Sequence, residues 1–143
     1  MLFRSIAWCH GLLDSLEVRD KIDRIAVHPT CSMTHLGLGP SLHQIAETMA
    51  REVYTPIGTT CCGTAGDRGL LHPELVRSAT RDEKAGLESW PADAYVSANR
   101  TCEMGLRQAT GMPFESFVFL LESLTRPTSP GAADAASSGG VVV

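Results

Sequence analysis

Three short apolar runs, "RIAVH" (residues 24–28), "EVYTPI" (residues 52–57) and "AYVSA" (residues 94–98), have the length and composition of buried strands. Between them lies sequence with helical periodicity. In "SLHQIAETMARE", Leu42, Ile45, Ala46 and Met49 recur at i, i+3, i+4 and i+7 and so share one helix face. Pro73 opens "ELVRSATRDEKAGLESW", at a first turn that needs no free N–H. "TCEMGLRQAT" reads as a helix closed by Gly111, and "FESFVFLLESLT" as another that ends before Pro127. Strands alternating with helices call for parallel strands joined by right-handed crossovers. The expected fold class is therefore α/β: a small three-layer open sheet, mainly parallel, with helices on both faces.

A chain of 143 residues is long enough for one hydrophobic core and short for two. Residues 1–23 read as an amphipathic helix at the edge of the domain, residues 24–125 as the domain itself, and residues 126–143, rich in Pro, Gly, Ala and Ser, as a disordered tail. A net charge of −4 argues against a nucleic-acid partner. No apolar run approaches the ~18–20 residues that span a bilayer. The opening "MLFRSIAWCHGLL" is interrupted by Ser5, Cys9 and His10 and lacks a cleavage site, so the expected location is the cytoplasm, or the periphery of a membrane's inner face. Five cysteines without a secretory signal point to a metal or redox role rather than a disulfide framework.

The cysteines follow the strands. Cys31 comes just after the first, Cys61 and Cys62 after the second, and Cys102 after the third, at the start of a helix. The carboxyl ends of parallel strands share one edge of the sheet, where the ligand sites of open α/β folds form, so these four thiols are expected to converge. Cysteines used as small core hydrophobes would have no reason to take those positions. The stretch "TTCCGTAGDRG" adds Gly63, Gly66 and Gly69, which free the backbone to take positive φ and to pass close to an inorganic centre. Gly63 is expected to have positive φ or to lie against a thiolate or inorganic sulfide that a Cβ would strike.

"HPTCSMTHLG", "CCGTAGDRGLLHPEL" and "SANRTCEMGL" closely resemble, in order, the three blocks of a cysteine-rich CCG domain. Such domains occur at the carboxyl end of FAD-linked D-lactate or glycolate dehydrogenases, and in heterodisulfide reductase and anaerobic glycerol-3-phosphate dehydrogenase subunits. The threonine-cysteine-glutamate form of the last block is nearest to the D-lactate dehydrogenase type. The resemblance implies a module that binds a 4Fe-4S cluster and relays electrons from a flavin towards an acceptor such as a quinone or a cytochrome. Carried over to this chain, the ligand candidates are Cys31, Cys61, Cys62 and Cys102. Many relatives end the last block with a second cysteine, where this chain has Gly105. The FAD-binding domain and the ferredoxin-like iron–sulfur motifs of such enzymes are expected on a missing partner region or subunit. On this reading the chain contributes to an oxidoreductase without oxidising a 2-hydroxy acid alone.

Around the thiols, His28, His35, Gly63, Gly66, Asp67, Asn99 and Arg100 are candidates for supporting contacts rather than ligation; the bland reading is a satisfied structural group for the two histidines, a solvated turn for Asp67 and a helix cap for Asn99 and Arg100. Cys9 reads as a residue of an amphipathic helix and not as a ligand. Leu2, Phe3, Ile6 and Trp8 on that helix are expected to form an exposed apolar patch. Two alternatives remain at this level: a structural zinc site with four cysteine ligands, and a metal-free thiol/disulfide centre.

Overall fold

The structure, a computed structural model, describes residues 2–127. Along the chain run α1 (Leu2–Gly11), a 3-10 turn at Leu13–Ser15, β1 (Ile22–His28), α2 (Cys31–His35), α3 (Gly39–Met49) and β2 (Ala50–Tyr54). Then come α4 (Arg68–Leu71), α5 (Pro73–Ala79), α6 (Arg81–Ser89), β3 (Ala94–Ser97), α7 (Arg100–Thr110), β4 (Glu115–Ser116) and α8 (Phe117–Thr125). The four strands form one parallel sheet in the order β2-β1-β3-β4. This is the expected α/β architecture.

The last four residues of β1, Ile25 to His28, are all buried, so both faces of the strand are covered. Side chains alternate across a strand, which splits the interior into two cores. Ile25 and Val27 join Val96 and Ala98 on one face, where α1, α3 and α8 supply Ile6, Leu42, Ile45, Ala46, Met49, Phe117 and Leu121. Ala26 and Tyr95 face the other way, against Leu87 of α6 and Leu106 of α7, with Phe114, Cys62 and Cys102. The helical stripe of α3 is thus a core seam, and its residues are at most 1% exposed.

The sheet order creates a switch point. From β1 the chain crosses outward to β2, then returns to lay β3 on the opposite edge of β1, so the two crossovers diverge from the carboxyl ends of β1 and β3. In open α/β sheets that divergence leaves a crevice for a ligand.

Several local expectations need revision. β2 stops at Tyr54, because Pro56 has no N–H for a ladder, and Ile57 is 88% exposed. The single helix expected after Pro73 is broken at Thr80, whose hydroxyl donates to the Val76 carbonyl at 2.8 Å. That bond ends α5 and lets α6 set off from the same residue. The two-residue β4 and the short helices α2 and α4 are too brief to leave a periodic signal. Gly111 closes α7 in the left-handed region, with φ +81°. Of the expected apolar patch, Ile6 is instead fully buried in the first core, whereas Trp8 is 72% exposed. The side chains of Leu2 and Phe3, and the tail from residue 128, lie outside the described residues.

Replacing Ile45 by Ala removes a fully buried side chain from the first core, on the face away from the cysteines Cys62 and Cys102. Urea unfolding of Ile45→Ala is expected to show a loss of about 2–5 kcal/mol, with the metal affinity of the folded fraction unchanged.

Candidate metal centre

β1 ends in His28, on the same face as Ala26 and therefore in the second core. Its backbone is held by β3: His28 pairs with Ser97, whose hydroxyl donates to the His28 carbonyl at 3.2 Å. Asn99 then starts α7, its side-chain oxygen accepting from the Thr101 amide at 3.0 Å and the Thr101 hydroxyl at 2.8 Å. The cap fixes the rotation of α7, so that Cys102 and, one turn on, Leu106 face the second core. Cys62 arrives from the loop after β2. Its sulfur lies 2.9 Å from that of Cys102 and 2.5 Å from the Thr64 hydroxyl.

A ring nitrogen of His28 and the sulfurs of Cys62 and Cys102 all lie within 4.8 Å of one another, and the three residues are buried. Nδ1 of His28 is engaged by both carboxylate oxygens of Glu83 on α6, at 2.9 and 3.0 Å. Nε2 is buried and has no hydrogen-bond partner among the described residues. Cys61 is half-buried and accepts the Gly63 amide at 3.4 Å, while Cys31 is exposed at the start of α2, whose cap is Thr30. Cys9 sits on α1 against the first core, on the other face of the sheet.

These groups reshape one another's ionisation. A hydrogen bond with Cys102 is the largest influence on Cys62; together with His28 and Thr64 it outweighs burial and brings the thiol down to about 4. Cys102 moves the other way, pushed far up by its bond with Cys62 and by burial, so the pair carries one proton and one negative charge. For His28, burial disfavours the charged ring, but Cys62 and Glu83 prevail and raise it to about 9. At Cys61 the Gly63 amide favours the thiolate, yet burial and the nearby Cys62 and Cys31 leave the thiol raised. A thiolate and an imidazolium thus face each other in an apolar core, each favouring the charge of the other.

The remaining candidates are more distant in role. His35 and Arg100 are exposed, and Arg100 Nη1 pairs with Glu103 at 3.2 Å. Gly66 and Asp67 are exposed where the loop turns into α4. Gly63 has positive φ, +75°, but a Cβ there would meet the Leu75 carbonyl oxygen and Ala79 Cβ, each at 2.9 Å. Its closeness is thus to α5, not to a thiolate, because the loop lies on that helix before turning to the site. Gly69 is tighter still, with a Cβ falling 2.6 Å from Thr64 Cα, and at Gly105 a Cβ would meet Thr64 Cγ2 at 2.8 Å. Thr64 therefore fills the space that a second cysteine of the last block would need.

Sequence reasoning missed Glu83 and Thr64. Glu83 had a visible signal: Val76, Thr80, Glu83 and Leu87 recur at helical spacing and are all buried, so a carboxylate stands in an inward stripe. Thr64 had none, since a small polar residue in a glycine-rich loop reads as turn.

The donors are thiolate sulfurs and an imidazole nitrogen, a soft set suited to an iron–sulfur centre or zinc and unsuited to magnesium or calcium. The buried, unpartnered Nε2 beside two sulfurs fits such a group.

In the reduced, metal-free protein, thiolate ultraviolet absorbance should rise in a step near pH 4 as Cys62 loses its proton, and Cys62→Ser should abolish that step. Absorbance that appears only near pH 9, the ordinary thiol range, would contradict the assignment. Gly63→Ala, strained in φ and blocked by backbone, should cost more apo stability in thermal melts than Gly111→Ala, which meets open space and should lose about 1 kcal/mol.

The profile of the CCG cysteine-rich domain family matches residues 25–107, from the second half of β1 into α7, and so takes in His28 and the four thiols after the strands. The chain is also similar to the glycolate oxidase iron-sulfur subunit of Escherichia coli (strain K12), with 28% identity over 116 residues. That alignment covers 77% of this chain and 27% of the relative, so the chain spans about a quarter of the relative's length. With more than half of its residues matched, including every block that carries a thiol of the site, the chain belongs to the CCG cysteine-rich domain family.

Proposed function

We propose that this chain is an iron–sulfur electron-transfer module. The observation that carries the reading is the buried convergence of His28, Cys62 and Cys102 within 4.8 Å at the switch point of the sheet, beside Cys61. Cys31, Cys61, Cys62 and Cys102 are the proposed thiolate ligands, and a 4Fe-4S cluster the proposed cofactor. The printed name of the E. coli relative, an iron-sulfur subunit, supports the same class. One-electron relay needs no general acid or base, and the protein's part is to set the centre's potential through charge, burial and donors to sulfur. Thr64 and the Gly63 amide are such donors, to Cys62 and Cys61.

The fuller form of the proposal places the chain beside an FAD-binding partner and a ferredoxin-like iron–sulfur region of a 2-hydroxy-acid dehydrogenase, of D-lactate type, passing electrons to a quinone or cytochrome. The proposed domain extends over residues 24–125, with residues 1–23 at its edge. Phe117 and Leu121 of α8 lie beyond the family match yet in the same core as β1, which supports that extent. No helix among the described residues is long and apolar enough to cross a membrane.

Anaerobic reconstitution with ferrous iron and sulfide tests the reading. A brown protein with matching iron and acid-labile sulfide is expected. Cys62→Ser and Cys102→Ser should lose most of both, and Cys9→Ser should retain them. A colourless protein holding stoichiometric zinc would replace the relay with a structural site, and loss of two thiols on oxidation without any metal would replace it with dithiol chemistry.

A further inference from the structure

His28 is placed to do more for the sulfurs than favour the Cys62 thiolate. A residue that merely hydrogen-bonds a thiolate spends a ring N–H on it, yet Nε2 has no hydrogen-bond partner among the described residues. Leaving a buried polar atom unpaired is costly, so an unoccupied nitrogen held in place by several contacts calls for a ligand. Four contacts hold it. Glu83 grips Nδ1 with both oxygens, at 2.9 and 3.0 Å; Ser97 donates to the backbone carbonyl; the His28 backbone is in register with Ser97 of β3; and Phe114 sets its ring edge-on to the imidazole, 6.4 Å away at 87°. With Nδ1–H committed to a carboxylate, the Nε2 proton is the one a metal would displace, and release of that proton on binding frees the Nε2 lone pair for it. Ligating histidines are oriented by this same second contact.

We propose that His28 is a direct ligand, through Nε2, of the centre held by Cys62 and Cys102, and that Glu83 is the residue that positions its ring. The inference rests on the iron–sulfur reading and adds to it a mixed nitrogen–sulfur coordination. A neutral imidazole in place of a thiolate leaves the centre less negative and raises its reduction potential, and the carboxylate on Nδ1 moderates that rise by making the ring more electron-rich. Exposed Cys31 is then the outermost of the possible thiol donors.

The test is pulsed electron paramagnetic resonance on the chain reconstituted with ferrous iron and sulfide, prepared with natural-abundance and with 15N-labelled histidine and poised in its paramagnetic state. A strong nitrogen coupling that changes with the label is expected, and it should vanish in His28→Cys while iron is retained and the midpoint potential falls. Because the labelled wild-type chain carries the answer, failure of a variant to fold leaves the test intact. Glu83→Gln, which keeps an acceptor oxygen for Nδ1, should retain iron and the coupling but raise the midpoint potential, a shift that a purely structural role for Glu83 would not produce. Iron and sulfide bound with no histidine coupling would overturn the inference and leave the iron–sulfur reading standing. Failure to take up iron and sulfide at all would overturn both.

Discussion

Strand β1 is paired on both edges and covered on both faces, and the rest of the fold is arranged around that fact. A strand with no solvent face must have a layer above and a layer below, so α1, α3 and α8 gather on one side and α6 and α7 on the other. Each layer contributes side chains that are almost wholly buried, from Ile45 on the first face to Leu106 on the second. At ~25 cal/mol per Å² of apolar surface, the two cores supply the main term opposing the entropy of ordering the chain. The carboxyl end of the same strand is where the crossovers part, so the element that organises the core also carries His28 to the site.

The site sits inside the second core rather than on top of it, and this sets its electrostatics. A charge moved into an apolar interior costs several kcal/mol unless it is paired. Here a Cys62 thiolate and a His28 imidazolium face each other, with the Glu83 carboxylate behind the ring and the Cys102 proton shared with Cys62. The arrangement is tolerable without metal because opposite charges alternate along it. It remains incomplete at Nε2.

The glycines in the loop after β2 serve this arrangement indirectly. Gly63 and Gly69 let the loop settle onto α5 and onto its own backbone at Thr64, approaches that a Cβ would forbid. Thr64 is thereby pressed against Gly105 of α7, with its hydroxyl on the Cys62 sulfur. Three small contacts, none of them to a metal, decide where Cys62 stands relative to Cys102.

The sequence by itself determined the parallel α/β class, the two-faced burial of the strands and the return of thiols after each strand, because these follow from hydrophobic period and element order, which are local properties. The stop at Gly111, the start at Pro73 and the seam of α3 were equally legible, each being written within one turn of helix. Tertiary structure alone decided that His28 stands within ligand distance of Cys62 and Cys102, that Glu83 orients it from α6, and that Gly63 yields to a helix rather than to a thiolate. Those contacts join residues far apart along the chain, 55 positions in the case of His28 and Glu83. A single chain carries no sign of such pairs, because they arise from how layers pack over a twisted sheet and not from any pattern along it.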